Sequence, residues 1–383
     1  MNTSNSGVTI MAVGDIGPVY EPADQYAELV APVLKQADIR IGQCERTYSE
    51  KGFMPNFDNG PSGNHSRLHP RMASLWNAAG IDVVSLASNH AMDWGPDAML
   101  DTAALFRGMG KIVIGAGHDG DEARKPAIIE RAGAKIAILS YCSVLRDGQA
   151  AALGKAGIAP LRVHTFYAPE EFQPGTPPRV ITEAYETDVK AMEVDIRRAK
   201  RHADAVIVSM HWGLRHVPKT ICTYQQPVAH AAIDAGADLI LGHHAHSIKA
   251  IEVYKGKVCF YSIGNFMTTG AAQLGAGVGI FDWNLVWYQI DKECLPPNGQ
   301  YHFPSHCRKT MIAKAVISSN GMEKVSFLPA FINHRAQPYV VTRNDPKFQE
   351  ILDFTEWASD QHPHHFKVEG DEVVIDNAAS RSG

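Results

Sequence analysis

Gly236-Ala237-Asp238-Leu239-Ile240-Leu241-Gly242-His243-His244-Ala245-His246 decides how this chain is read. A short apolar run stops at a glycine, and three imidazoles follow within four positions. Such a run fits a strand buried on both faces, and its end is where open α/β sheets place their sites. Neutral imidazole ligates borderline metals, and His244-Ala245-His246 on a tight loop aims two ring nitrogens at one point. A surface cluster of histidines would look the same. The reading therefore turns on what the other strand ends carry.

Working outward, the pattern repeats. Residues 8–13 read as a strand ending at Gly14-Asp15, and 39–41 as one that delivers Gln43-Cys44-Glu45-Arg46. Residues 83–87 run into Ser88-Asn89-His90, and 205–210 into His211-Trp212-Gly213. Amphipathic stretches at 26–36, 71–79, 96–108, 187–201 and 225–235 predict helices between them. Short apolar runs alternating with longer amphipathic ones specify βαβ units and a layered sheet. Further strands are predicted at 112–114, 126–130 and 135–141. Those at 251–253, 258–262 and 314–318 are expected to form a second sheet.

Three stretches break the pattern. Residues 49–70 are rich in Gly, Pro, Asn and His. Residues 145–185 are irregular and proline-rich, with Phe166 and Tyr167 as a potential lid, and 267–309 are rich in aromatics and glycine. Long loops in a compact domain are often functional. The expected organisation is one domain over 1–345 with insertions at about 49–70, 145–185 and 267–309. A C-terminal helix and frayed tail would follow over 346–383.

The 383 residues are 45% hydrophobic and 20% charged, ample for a sizeable core. A net charge of −5 argues against nucleic acid or an anionic membrane surface as partner. The six cysteines lack CxxC spacing and are expected reduced and buried. The first seven residues are short and polar, and no run reaches the roughly 20 apolar residues of a membrane helix. These features predict a cytoplasmic protein; they leave its oligomeric state open.

Five strand-end clusters carry chemistry: Asp15, Glu45, Asn89-His90, His211, and His244 with His246. In a layered sheet such ends lie side by side, so distant residues share one cleft. As an ordered set, Gly14-Asp15-Ile16, the Glu45 segment, Ser85 through Gly95, Val208 through Gly213, Gly236 through His246 and Tyr261 through Phe266 resemble the bacterial capsule-synthesis (CapA, poly-γ-glutamate) family. The resemblance runs over residues 7–270, with weaker support to about 335. It implies an α/β fold, the calcineurin-like (metallophosphoesterase) two-sheet sandwich flanked by helices.

The resemblance also implies metal ligands at Asp15, Glu45, Asn89, His211, His244 and His246, and His90 as a proton donor. Divalent metal is implied, one ion or two, with Mn, Zn, Fe and Ca all open. Asp93, three residues after His90, would orient its ring, with a helix N-cap as the alternative role. His90, Asp93 and Asp15 form the catalytic group in this reading. The chain departs from the phosphoesterase pattern at two points: Gly17 stands where Asp-x-His would have its imidazole, and Gln43-Cys44-Glu45-Arg46 replaces Gly-Asp-x-x-Asp. Arg46, Trp212 and His302 are candidate substrate contacts; Trp94, Trp283 and Trp287 are further aromatics for a pocket wall. His243 is expected outward or behind the ligands, and His216, His306 and His334 as ordinary surface or core residues. Cys44 is a remote candidate nucleophile. The expected function is metal-assisted acid/base chemistry on an amide- or peptide-like substrate, with hydrolysis first. Alternatives are Cα epimerisation of a peptide residue, as in a lasso-peptide epimerase of similar fold, phosphoester hydrolysis, and a non-enzymatic accessory role in capsule or poly-γ-glutamate synthesis.

Overall fold

Side chains alternate across a strand, so an apolar run buried on both faces must be covered on both. Val8, Ile10 and Ala12 turn one way from the Val8–Gly17 strand and Met11 and Val13 the other, and all five are buried. The computed structural model, which describes residues 7–53, 67–171, 175–176, 178–270, 289–295 and 297–376, resolves this demand into four layers. Two sheets face each other, and helices cover the outer side of each.

The first sheet has a parallel half, Val8–Gly17, Ile39–Cys44, Val83–Ser85 and Ile112–Ile114. Its other half is antiparallel, running from Val8–Gly17 through Lys309–Ser318, Gly321–Ile332 and Glu372–Ile375 to Phe366–Glu369. The second sheet orders Ile251–Tyr254, Lys257–Phe260, Leu239–His243, Ala205–His211, Ala134–Cys142 and Ala127–Arg131, parallel through its centre. Between the sheets Val8, Ile10, Ile41 and Val83 meet Ile136, Ile207, Leu241 and Phe260. Outside the first sheet pack Tyr26, Trp76 and Phe106; outside the second, Met192, Ile196 and Val228 from the Glu186–Lys200 and Gln225–Asp234 helices. This is the expected two-sheet sandwich flanked by helices.

Asp238 pins the strand that feeds the histidine loop. Its buried carboxylate accepts from Val206 N at 2.9 Å, Lys200 Nζ at 2.7 Å and Lys257 Nζ at 2.6 Å.

Several expectations need correction. Lys309–Ser318 pairs with Val8–Gly17 in the first sheet, so only the 251–260 hairpin joins the second. The C-terminal tail is not frayed through 376: the Pro346–Ser359 helix packs on the first sheet, and the Phe366–Glu369/Glu372–Ile375 hairpin extends it. The stretch 145–185 holds a regular hairpin, Val163–Ala168 against Arg179–Ala184, with Phe166 and Tyr167 exposed on it. Residues 54–66 of the first insertion and 271–288 and 296 of the third lie outside the described residues, and with them Trp283 and Trp287. Among the described residues no helix is long and apolar enough to cross a membrane.

Candidate metal centre

The ends of the parallel strands meet where the two sheets come together. Gly242 makes the approach possible: a Cβ there would lie 2.1 Å from the Tyr261 carbonyl oxygen. The chain then turns sharply, and His244 (φ 78°) and His246 (φ 57°) both take the left-handed conformation that β-carbon sterics disfavour. Backbone strain of this kind persists only where its surroundings enforce it. Here His244 N donates to Asp15 Oδ2 at 3.2 Å, tying the loop to the end of the Val8–Gly17 strand.

Two groups of ligand atoms result, each with its atoms within 4.8 Å of one another: Glu45, His211 and His244, and Asp15, Glu45 and His246. Glu45 belongs to both. In the first, His211 Nε2 lies 3.2 Å from Glu45 Oε1, 3.2 Å from His244 Nδ1 and 2.8 Å from Asn89 Oδ1. In the second, His246 Nδ1 is 3.2 Å from Asp15 Oδ2 and 2.8 Å from Asn265 Oδ1. All six expected ligands, Asp15, Glu45, Asn89, His211, His244 and His246, are thus brought together.

Burial decides the charge state of this cluster. Desolvation pushes the Asp15 carboxyl up to about 8 and Glu45 to about 7, Glu45 helped by the Asp15 charge. It holds His211 and His244 well below the ordinary imidazole range and lowers His246 too, so their rings stay neutral with lone pairs available. Asp15 Oδ1 and Glu45 Oε1 are buried and accept no hydrogen bond among the described residues. Inward lone pairs, oxygen and nitrogen donors and two orphaned carboxylate oxygens fit a divalent cation.

His90 stands beside this cluster. Its Nδ1 meets Asp93 Oδ2 at 2.7 Å, and its Nε2 lies 4.0 Å from Glu45 Oε2. Arg146 reaches the other Asp93 oxygen at 3.3 Å. The N-cap of the Gly95–Gly108 helix is Trp94, so the orienting role is the one the geometry of Asp93 serves.

Of the candidate substrate contacts, Trp212 is corrected: it is 0% exposed, stacks on Tyr261 and donates Nε1 to that residue's carbonyl at 2.9 Å. It is core. His302 is buried edge-on to Tyr20, and among the described residues it belongs to neither ligand group. Trp94 lies under the Arg67 guanidinium, 4.4 Å from ring centre. Arg46 is buried beside Glu45. Cys44 is buried with Sγ donating to Arg46 O at 3.1 Å, and burial pushes its thiol up to about 12, which argues against a nucleophile.

Sequence reasoning missed Asn265 and His216 and left His243 between two places. Asn265 pairs in register with Asp15, and its signal was the glycine before it at the start of a strand. His243, expected outward or behind the ligands, is buried behind them, with Nδ1 3.9 Å from Asp15 Oδ1. His216 stacks on His246 at 5.2 Å, again in a left-handed conformation (φ 64°). Buried Lys249 holds that loop down by donating to the carbonyls of Val217 and Thr220. Lys249→Met is expected to speed amide exchange over residues 214–220 by about tenfold or more while metal content stays unchanged. Exchange mass spectrometry checks it, and equal protection in both proteins would refute the clamp.

Residues 9–269 match the family of bacterial capsule synthesis proteins, PGA_cap. The chain belongs to this family. It is 31% identical over 246 residues to the PGA biosynthesis protein CapA of Bacillus subtilis, covering 64% of this chain and 57% of that one. Over 273 residues it is 27% identical to the capsule biosynthesis protein CapA of Bacillus anthracis, covering 69% and 60%. The chain therefore spans under two thirds of the length of either CapA relative. Among solved structures, a hypothetical protein from Thermus thermophilus aligns with TM-score 0.45 and 16% identity, over 87% of this chain and 98% of that one. The calcineurin-like phosphoesterase YfkN from Bacillus subtilis aligns with TM-score 0.39 and 14% identity, over 92% and 99%. The cluster described above falls within the segment matched to the PGA_cap family.

Proposed function

We propose that this protein is a metal-dependent hydrolase of amide bonds in a peptide-like chain. One observation carries the reading: a buried ligand cluster stands next to a separate, oriented proton carrier, with His90 Nε2 4.0 Å from Glu45 Oε2. A divalent cation held by Glu45, Asn89, His211 and His244, or by Asp15, Glu45, His246 and Asn265, would supply carbonyl polarisation and a more acidic water. The chain's own residues do the rest. Asp93 keeps the His90 proton on Nδ1, so Nε2 is free to take up the proton lost by the attacking water and then to deliver it to the leaving amine. Asp93 also steadies the ring while it is charged, and Arg146 holds the second oxygen of that carboxylate.

The names of the Bacillus relatives tie those proteins to PGA and capsule biosynthesis. Read as poly-γ-glutamate, such a polymer is amide-linked and suits this chemistry. A small peptide-type substrate and a cytoplasmic setting complete the proposal. Two-base epimerisation at Cα is the weaker reading, because among the described residues this site holds one His–carboxylate pair outside the ligand cluster.

The test is incubation of Mn- or Zn-loaded protein with oligo-γ-glutamate and with α-linked peptides, with and without chelator, followed by mass spectrometry. Chelator-sensitive cleavage is expected. His90→Ala is expected to lower kcat by about 100-fold or more with metal content near normal. Intact chains throughout would sink the proposal, and Cα deuterium uptake from heavy water without cleavage would move it to epimerisation.

A further inference from the structure

The position where the phosphoesterase pattern has an imidazole is filled by another side chain. A Cβ on Gly17 would lie 2.7 Å from Arg46 Cγ, 3.0 Å from its Nε and 3.2 Å from Glu45 Cβ. Glycine at 17 therefore makes room for the Arg46 stem. Arg46 is 4% exposed, and Nε donates to Gly17 O at 3.2 Å. A guanidinium has five N–H donors in a fixed fork. Among the described residues that is the one hydrogen bond its side chain makes, and Glu45 and Asp93 act on it through their charge alone. Its neighbours Glu45 and Asp93 are turned elsewhere, toward the ligand cluster and toward His90 and Arg146.

A guanidinium seated this deep, with most of its donors unspent by protein groups and its terminal nitrogens not among the fully buried unpartnered atoms, is a ready receptor for an anion. The charge count agrees. Asp15 and Glu45 bring two negative charges, one divalent cation cancels both, and the Asp93 charge is matched by Arg146. Arg46 then leaves the centre at about +1, and a second cation raises the excess. We propose that Arg46 is the oxyanion receptor of this site, so the substrate carries an anionic group beside its reacting bond. The fork geometry suits a carboxylate, such as that of an acidic peptide residue, and a phosphate presents the same chemistry. This rests on the hydrolase reading for its role in turnover but not for the binding itself.

Calorimetric titration of the metal-loaded full chain with glutarate and, separately, with inorganic phosphate tests it. The wild type is expected to bind at least one, and the stronger of the two identifies the group. Arg46→Gln is expected to weaken that binding about 10- to 100-fold, with metal content unchanged. Because Arg46 is buried, Gly17→Ala provides a second probe: it keeps the charge but drives the Arg46 stem from its seat, and should weaken binding in the same direction. Failure of the wild type to bind either anion would overturn the proposal. So would equal affinity in folded Arg46→Gln or Gly17→Ala protein. Anion binding that depends on Arg46 in a protein that cleaves nothing would leave the receptor standing and remove only the hydrolase.

Discussion

Glu45→Ala is expected to strip the protein of divalent metal, whereas His244→Ala and His246→Ala should each remove only part of it. The asymmetry follows from position. Glu45 follows the Ile39–Cys44 strand, where Glu45 N is held by Ile16 O at 2.9 Å. Its carboxylate serves both ligand groups, while His244 belongs to one and His246 to the other. Removing an outer-shell partner of a metal site typically costs about 10- to 100-fold in affinity. Removing a directly shared, charged ligand should exceed that at both positions. Metal content after dialysis, compared across the three variants and Glu45→Gln, reads the effect, with thermal unfolding to verify that each variant folds. Wild-type metal content in Glu45→Ala would refute the shared-ligand arrangement. Complete loss in His246→Ala, with His244→Ala unaffected, would show that the two groups do not share Glu45 as drawn.

The parts of this fold that were legible in the sequence are those where burial on both faces leaves no choice of side chain. Val8–Gly17, Ala205–His211 and Leu239–His243 are buried along nearly their whole length, and all three declare themselves as apolar runs ending in polar residues. The Gly321–Ile332 strand did not, because Pro329 interrupts it and proline normally argues against a strand with neighbours on both sides. The 163–184 hairpin is largely exposed, so no periodic burial marks it; the 366–375 hairpin does alternate, with Val373 and Ile375 buried, but over strands of only four residues each. At the site the ligand types were legible but their sharing was not. Nothing local says that Glu45 serves two groups, that Asn265 lies in register with Asp15, or that His216 folds back onto His246. Those are properties of strand order and of a loop held from a distance by Lys249. Gly17 is the instructive residue: as sequence it is a missing ligand, and in the structure it is the space an arginine occupies.

The same buried carboxylates should make the metal-free protein lose stability as the solution becomes more alkaline. Asp15 sits at about 8 in the folded chain against 3.8 unperturbed, and Glu45 at about 7 against 4.5. Both are acids whose folded value lies above the unfolded one. Between roughly pH 4 and 8 the folded state binds more protons than the unfolded chain, so stability falls as pH rises through that window. The imidazoles act the other way. His211, His244 and His246 are lowered from 6.5, so their contribution is complete above about 6.5 and is lost as pH falls. Above 6.5 the carboxyl slope is therefore unopposed by these rings. From pH 6.5 to 8.5 it amounts to about 2–3 kcal/mol, a few degrees in Tm for a chain of this size. A bound cation stabilises the ionised carboxylates and removes the slope. Unfolding temperatures of chelated and Mn-loaded protein at the two pH values test this, with Asp15→Asn as the reference that should flatten the chelated curve. A chelated protein whose Tm holds steady relative to the loaded one over that interval would mean these carboxyls are already ionised without metal. The neutral, protonated state assigned to the metal-free cluster would then be refuted, and with it the idea that a bound cation is what ionises Asp15 and Glu45.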